Sequence, residues 1–330
     1  MSKTVTIIGS LNYDLVTFTK KVPKAGETIQ ANSFETHMGG KGLNEAVAVA
    51  RLSPPLGHVQ SRMIGCVGDD DFGKSLKQCL VDSGVDVSNV KTIEGESSGV
   101  ATILVEEESG ENRILITAGA NGHLKPSDEE YKSIFELDKE DKNEYVVLQN
   151  EYPDTAKSIS WLKTNRPNIN IAYNPSPYRP ELVTRDIWSK IDLLIVNEGE
   201  AQDVAKLLLP DLDLVDSMEG VKTLAVEIQK LLNQNNLKTV VITLGSKGCI
   251  YYDARLDEPQ FVKSRKVDNV VDTTGAGDTF FGGLVSNLAL GKTLAQAVEF
   301  ATAASSLAIQ KKGAAEGIPE HKDVIQLLGE

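Results

Sequence analysis

Cysteine is scarce in this chain: three residues in 330 (Cys66, Cys79 and Cys249), an odd number, widely spaced among apolar neighbours. That pattern excludes a disulfide framework and offers no metal-ligand spacing, so the thiols are expected to be reduced. Positive charge is also short. Lys and Arg number 34 against 47 Asp and Glu, a net charge of −13. The deficit argues against a nucleic-acid or anionic-membrane surface, where Lys and Arg must neutralise phosphates. It leaves room for a small anion held by local backbone donors. No apolar run approaches the ~18 residues of a membrane span. The strand-like residues 5–8 lead us to expect no signal or transit peptide. Repeats, low-complexity tracts and linkers are missing. What is present, 41% hydrophobic and 25% charged residues, is ordinary for a globular enzyme. The length suits one large α/β domain or two smaller ones. These features predict a soluble protein of the cytoplasm or nucleus.

Short apolar runs rich in β-branched residues (5–8, 146–148, 169–172, 193–196 and 240–244) read as buried parallel strands. Helical patterns alternate with them. In 43–52, Leu43, Ala46, Val47 and Ala50 share a face, and in 72–80 Phe72, Leu76 and Leu80 recur every four residues. The alternation predicts an α/β fold, a doubly wound and mostly parallel sheet flanked by helices. Residues 12–38 and 97–121 break the rhythm with strands that lack intervening helices. In the second, 100–105 and 113–117 flank an acidic turn that suits a hairpin. Both excursions are expected to form one small β-sheet lid inserted in a single domain spanning 1–330. The acidic stretch 138–144 reads as exposed loop.

The most informative stretch is Asp272-Thr273-Thr274-Gly275-Ala276-Gly277-Asp278-Thr279-Phe280. An apolar run, 267–271, leads in and a helical pattern, 281–290, leads out. Two glycines and a small alanine leave backbone N–H groups uncovered at a helix N-terminus, which suits an anion. Asp278 is either a helix cap or a base that takes a proton from an attacking hydroxyl. A second motif, Gly68-Asp69-Asp70-Asp71-Phe72-Gly73-Lys74-Ser75, matches the P-loop pattern. Its three aspartates would repel a triphosphate, so it reads as a turn and helix start. Gly275-Ala276-Gly277 is not a dinucleotide turn either, since Phe280 occupies the third glycine position.

Three glycines surround a lysine in Met38-Gly39-Gly40-Lys41-Gly42-Leu43-Asn44-Glu45. A tight turn explains the glycines but not Lys41 and Asn44 together. Upstream, Asn12 and Asp14 alternate onto one face where the first strand ends, the edge at which open α/β sheets bind ligands. Asn, Asp, Lys and Asn converging on glycine backbone suit sugar hydroxyls, each of which needs a donor and an acceptor. Glu151 and Asn197-Glu198-Gly199-Glu200 follow other strands. They are helix-initiating residues, or holders of sugar hydroxyls or hydrated Mg²⁺. Thr243-Leu244-Gly245-Ser246-Lys247-Gly248 is a plain hairpin or a contact for phosphate or ribose.

Together and in this order, these motifs resemble the ribokinase-like carbohydrate kinase family over residues 5–319. The resemblance implies transfer of the ATP γ-phosphoryl group to a sugar's primary hydroxyl, and the Gly-Gly-Lys-Gly-x-Asn cluster implies O5 of D-ribose. It makes Asp278 the general base and Gly275, Ala276 and Gly277 the anion hole. Sugar binding falls to Asn12, Asp14, Gly40, Lys41, Gly42, Asn44 and Glu151. Asn197 and Glu200 match the pair linked to nucleotide phosphates and Mg²⁺, and residues 243–248 a nucleotide-binding turn. An activating K⁺ is implied at Asp272 and Thr274, with carbonyls of Ala308, Lys311 and Gly313. Three positions depart from the family. Glu45 replaces a usual Gln, expected as a surface change. Gly317 replaces a frequent Ser at the K⁺ site, and Thr302 a His or Asn at the adenine edge. Sibling sugar or nucleoside kinases and a non-catalytic sensor remain alternatives. Exposed β-layer edges lead us to expect a homodimer.

Overall fold

The computed structural model describes residues 3–55, 59–108, 111–135 and 144–329. The first half runs β1 (Lys3–Ile8), β2 (Asn12–Thr19), β3 (Ser33–Gly39), α1 (Lys41–Leu52), β4 (Val59–Gly68), α2 (Asp71–Asp82), β5 (Asp86–Ile93), β6 (Gly99–Glu106), β7 (Glu111–Thr117) and α3 (Asp128–Ile134). Then come β8 (Tyr145–Leu148), α4 (Thr155–Asn165), β9 (Asn170–Tyr173), α5 (Arg185–Trp188), β10 (Leu193–Asn197), α6 (Glu198–Leu208) and α7 (Met218–Gln229). The chain closes with β11 (Thr239–Thr243), β12 (Gly248–Tyr252), β13 (Gln260–Lys263), α8 (Ala276–Ala289), α9 (Leu294–Ala308), α10 (Ala314–Gly317) and α11 (His321–Leu328).

Nine strands form the main sheet in the order β13-β12-β11-β10-β9-β8-β1-β4-β5. All neighbours are parallel except β11–β12 and β12–β13. The strands read as continuous apolar runs because both faces are covered. On β8, Tyr145 and Val147 enter one core while Val146 and Leu148 enter the other. On β10, Leu193 and Ile195 divide from Leu194 and Val196 in the same way. Parallel pairing brings the C-terminal ends of β1, β8, β10 and β11 to one edge, and every candidate motif follows one of these ends or faces it.

The two segments without helices build a second sheet, ordered β3-β2-β6-β7. Its β6–β7 hairpin pairs Val100 with Thr117 through Glu106 with Glu111. Helices α1 and α8 carry residues from opposite ends of the chain into contact. A Cβ on Gly282 would meet the Cβ of Ala48, so only small residues let the two helices approach this closely. That approach sets Asp278 on α8 against Asn44 on α1.

The P-loop-like stretch is a turn and helix start, as its charges require. Asp70 caps α2 by accepting from Gly73 N at 2.7 Å. Tyr13 on the small sheet stacks on Phe72, ring centroids 4.2 Å apart. All three cysteines are free. The acidic stretch is corrected at its end. Glu144 is buried, 2.6 Å from Arg166 Nη2, because the cation neutralises it there; 138–143 lie outside the described residues. No helix among the described residues is long and apolar enough to cross a membrane.

Candidate active site

The loop from β3 to α1 supplies backbone. Gly40 has φ 87°, a conformation that favours glycine, and a Cβ there would lie 2.7 Å from Asn12 N. With Gly40 as cap, α1 starts at Lys41 and presents Lys41 and Asn44 toward α8. Asn44 Nδ2 donates to Asp278 Oδ2 at 2.8 Å, and Lys41 Nζ lies 3.7 Å from Asp278 Oδ1. Glu151 accepts from the Lys41 backbone N at 2.9 Å and from the Ser10 hydroxyl. Asn12 and Asp14 are both buried on β2. Asn121 fixes Asn12, its Nδ2 donating to Asn12 Oδ1 at 2.9 Å. Lys41 and Asn44 thus meet the Asp278 carboxylate directly and Glu151 joins them through the Lys41 backbone, while Asn12 and Asp14 line neither cavity described below.

Negative charge is concentrated there. Burial, then the carboxylates of Glu151, Glu316 and Asp278, push the Asp14 carboxyl up to about 7. Burial works against the Lys41 ammonium, but the carboxylates of Asp278 and Glu151 outweigh it and raise its pKa above the usual lysine value. Lys41 is thus the fixed cation of the site. Glu45 is a correction. It is not on the surface but 1% exposed, beneath Lys41 on α1, and it accepts from Gln149 Nε2. The helix face that packs under the site includes position 45, which sequence spacing near a glycine turn did not reveal.

The second half of the site begins at the α8 N-terminus. Gly275 caps it with φ 73°, and a Cβ there would lie 2.9 Å from Ala314 Cα. A Cβ on Gly277 would meet nothing within 4 Å, so the space above the turn is open. Ala276 N donates to the Thr273 carbonyl at 3.3 Å; the first N–H groups of a helix otherwise lack helical partners. A cavity of about 820 Å³ runs from Ala276 and Gly277 past Thr243, Gly245, Ser246 and Gly248 to Thr302. A smaller cavity, about 140 Å³, joins Lys41 and Asp278 to Asn197 and Glu200. Thr243 and Gly277 line both, so the two spaces meet at the glycine turn.

Residues 243–248 form the hairpin between β11 and β12, and Thr243, Gly245, Ser246 and Gly248 also line the large cavity. Leu244 is buried, and neither it nor Lys247 lines the cavity. Asn197 and Glu200 form a reciprocal cap on α6, Asn197 Oδ1 accepting from Glu200 N and Glu200 Oε2 from Asn197 N. The apolar run 267–271 is not a strand; Val267 and Val270 line the large cavity. Asp272 Oδ1 accepts from Thr274 N at 2.9 Å and Oδ2 from Gly313 N at 3.0 Å. A Cβ on Gly317 would lie 3.0 Å from the Ala308 carbonyl oxygen and 3.8 Å from that of Lys311. These oxygens therefore gather beside α10. Sequence reasoning missed Ser10, Asn121, Gln149 and Glu316, which carry no motif, and the cavity-lining Lys263, Arg265 and Lys266.

A family model for pfkB family carbohydrate kinases matches residues 2–321. The ribokinase of Schizosaccharomyces pombe is 41% identical over 97% of this chain and 96% of its own. That of Bacillus subtilis is 33% identical over 99% of each. Among solved structures, Arabidopsis thaliana ribokinase complexed with ribose and ATP superposes with a TM-score of 0.83 at 29% identity, covering 100% of both chains. Giardia lamblia ribokinase gives 0.84 at 29% identity, covering 100% of this chain and 99% of its own. With its nine-stranded sheet, its second sheet and its glycine turn opening α8, the chain belongs to the pfkB, ribokinase-like family of carbohydrate kinases.

Proposed function

We propose that the chain is an ATP:D-ribose 5-phosphotransferase. The observation that carries this reading is the meeting of the two cavities at Gly277, with Asp278 and Lys41 lining the smaller one. ATP lies in the large cavity with its phosphates toward the Gly275–Gly277 N–H groups. Ribose lies over Asn12, Asp14, Gly40, Gly42, Asn44 and Glu151, its O5 hydroxyl against Asp278. Asp278 takes the hydroxyl proton as O5 bonds to the γ-phosphorus and the bond to the β–γ bridging oxygen breaks, releasing ADP. Asn44 orients the carboxylate, and the N–H groups of the turn receive the charge that develops on the transferred group. Lys41, held charged, balances that carboxylate and the incoming polyanion. The small sheet acts as a lid that excludes water and suppresses ATP hydrolysis.

Asn197 and Glu200 would hold the hydrated Mg²⁺ of the nucleotide, which neutralises phosphate charge. Asp272 and Thr274 with the carbonyls of Ala308, Lys311 and Gly313 would hold K⁺. The oxygen set beside Gly317 suits a hard cation, with backbone replacing a side-chain ligand there. A homodimer is supported by the apolar face of the small sheet that carries Asp14. Register places Ile103, Ile114 and Ile116 on that face, and Ile114 and Ile116 are exposed.

The test is Asp278→Asn. Loss of the base should lower kcat by roughly 10²–10⁴-fold while ribose still binds. Full turnover in that variant would refute the assignment.

A further inference from the structure

Glu45 takes no part in the chemistry above, yet it lies in the centre of the site. It sits one helical turn beyond Lys41 on α1 and lines the small cavity with Lys41, Asp278 and, on the far wall, Glu200. One oxygen, Oε2, accepts from Gln149 Nε2. The other, Oε1, has no hydrogen-bond partner among the described residues, and neither has Gln149 Oε1. A carboxylate so placed would be buried with one oxygen lacking any donor. It would face Asp278 from α8 and Glu151 beyond β8, with Lys41 as the opposing cation. That is a costly arrangement for a charge, and an uncharged carboxyl avoids it. Burial first and Asp278 second push this carboxyl well above the ordinary glutamate range.

We propose that Glu45 is a positioning residue: its uncharged carboxyl leaves the Lys41 ammonium to Asp278, and its ionised form draws that ammonium away. Asp278 then loses the cation that balances it, and the cavity gains a negative charge where a nucleotide polyanion must enter. Phosphoryl transfer therefore fails on the alkaline side as Glu45 gives up its proton. The inference rests on the kinase reading for its effect on rate, but the protonation of Glu45 can be measured without turnover.

Three measurements decide it. In the parent, kcat falls about tenfold per pH unit above the ionisation, and in Glu45→Gln, whose amide carries no charge, that limb disappears. Identical alkaline limbs in the two proteins overturn the proposal. The infrared difference between parent and Glu45→Gln at neutral pH contains the carbonyl stretch of a protonated carboxyl; its absence overturns the proposal even in a chain that phosphorylates no sugar. Stability gives the third readout. A folded-state pKa above the unfolded 4.5 makes the parent lose stability as pH rises past that value. The advantage of Glu45→Gln must therefore grow with pH. A pH-independent difference would make Glu45 a packing residue only.

Discussion

Replacing Asp14 by Asn should stabilise the ligand-free protein while destroying its grip on the sugar. Asp14 is 8% exposed, and burial with three neighbouring carboxylates raises its carboxyl from 3.8 to about 7. The folded protein therefore holds this proton more tightly than the unfolded chain does. Between those two values the folded state binds more protons, so stability falls as pH rises through the window. Each pKa unit is worth ~1.4 kcal/mol, so the full loss above neutrality is about 4 kcal/mol. Asn cannot ionise. Asp14→Asn should therefore gain roughly 2–4 kcal/mol at pH 8, after allowing for altered hydrogen bonding, and gain little near pH 4. Urea unfolding of both proteins across this range measures the difference. A gain that does not change with pH would exclude Asp14 titration as its source, because packing has no such dependence. The same carboxylate is the acceptor proposed for ribose hydroxyls, so Asp14→Asn should weaken ribose binding by ~1.5–3 kcal/mol, about 10–100-fold. In the parent, ribose binding should release a proton near neutral pH. Calorimetry in buffers of different ionisation enthalpy would detect it.

Two further changes test the support behind Asp278. Asn44→Ala removes the 2.8 Å bond to its carboxylate, and kcat should fall about 10–100-fold, the worth of a charge-assisted hydrogen bond; unchanged kcat would remove Asn44 from the machinery. Gly282→Val forces branched carbon against Ala48 between α1 and α8. It should cost ~1–3 kcal/mol in denaturant unfolding and lower kcat by displacing Asp278 from Lys41; a normal kcat in the destabilised variant would separate packing from positioning.

The fold was legible because its strands are buried on both faces, so residues 193–196 and 240–244 read as apolar runs in the sequence alone. The second sheet was legible for the opposite reason, since 100–105 and 113–117 lack helical spacing between them. The candidate site was legible where it lies in compact motifs, as at Gly275-Ala276-Gly277-Asp278. Contacts made across long sequence distances were not. Gln149 meets Glu45 from 104 residues away and Asn121 fixes Asn12 from 109; neither belongs to a local pattern. Glu45 was misread because it packs toward Asp278 on α8 and Gln149 after β8, residues remote in sequence. Glu144 was misread because an acidic run gives no sign that Arg166 pairs its last member.

The decisive measurement for the kinase assignment is ATP-dependent phosphorylation of ribose, deoxyribose, fructose and adenosine, each in potassium and in sodium. Turnover of ribose to its 5-phosphate is expected, faster in potassium. Preferred turnover of another acceptor would keep Asp278 and the glycine turn but contradict the ribose assignment, and ribose binding with no turnover of any acceptor would contradict the kinase reading itself.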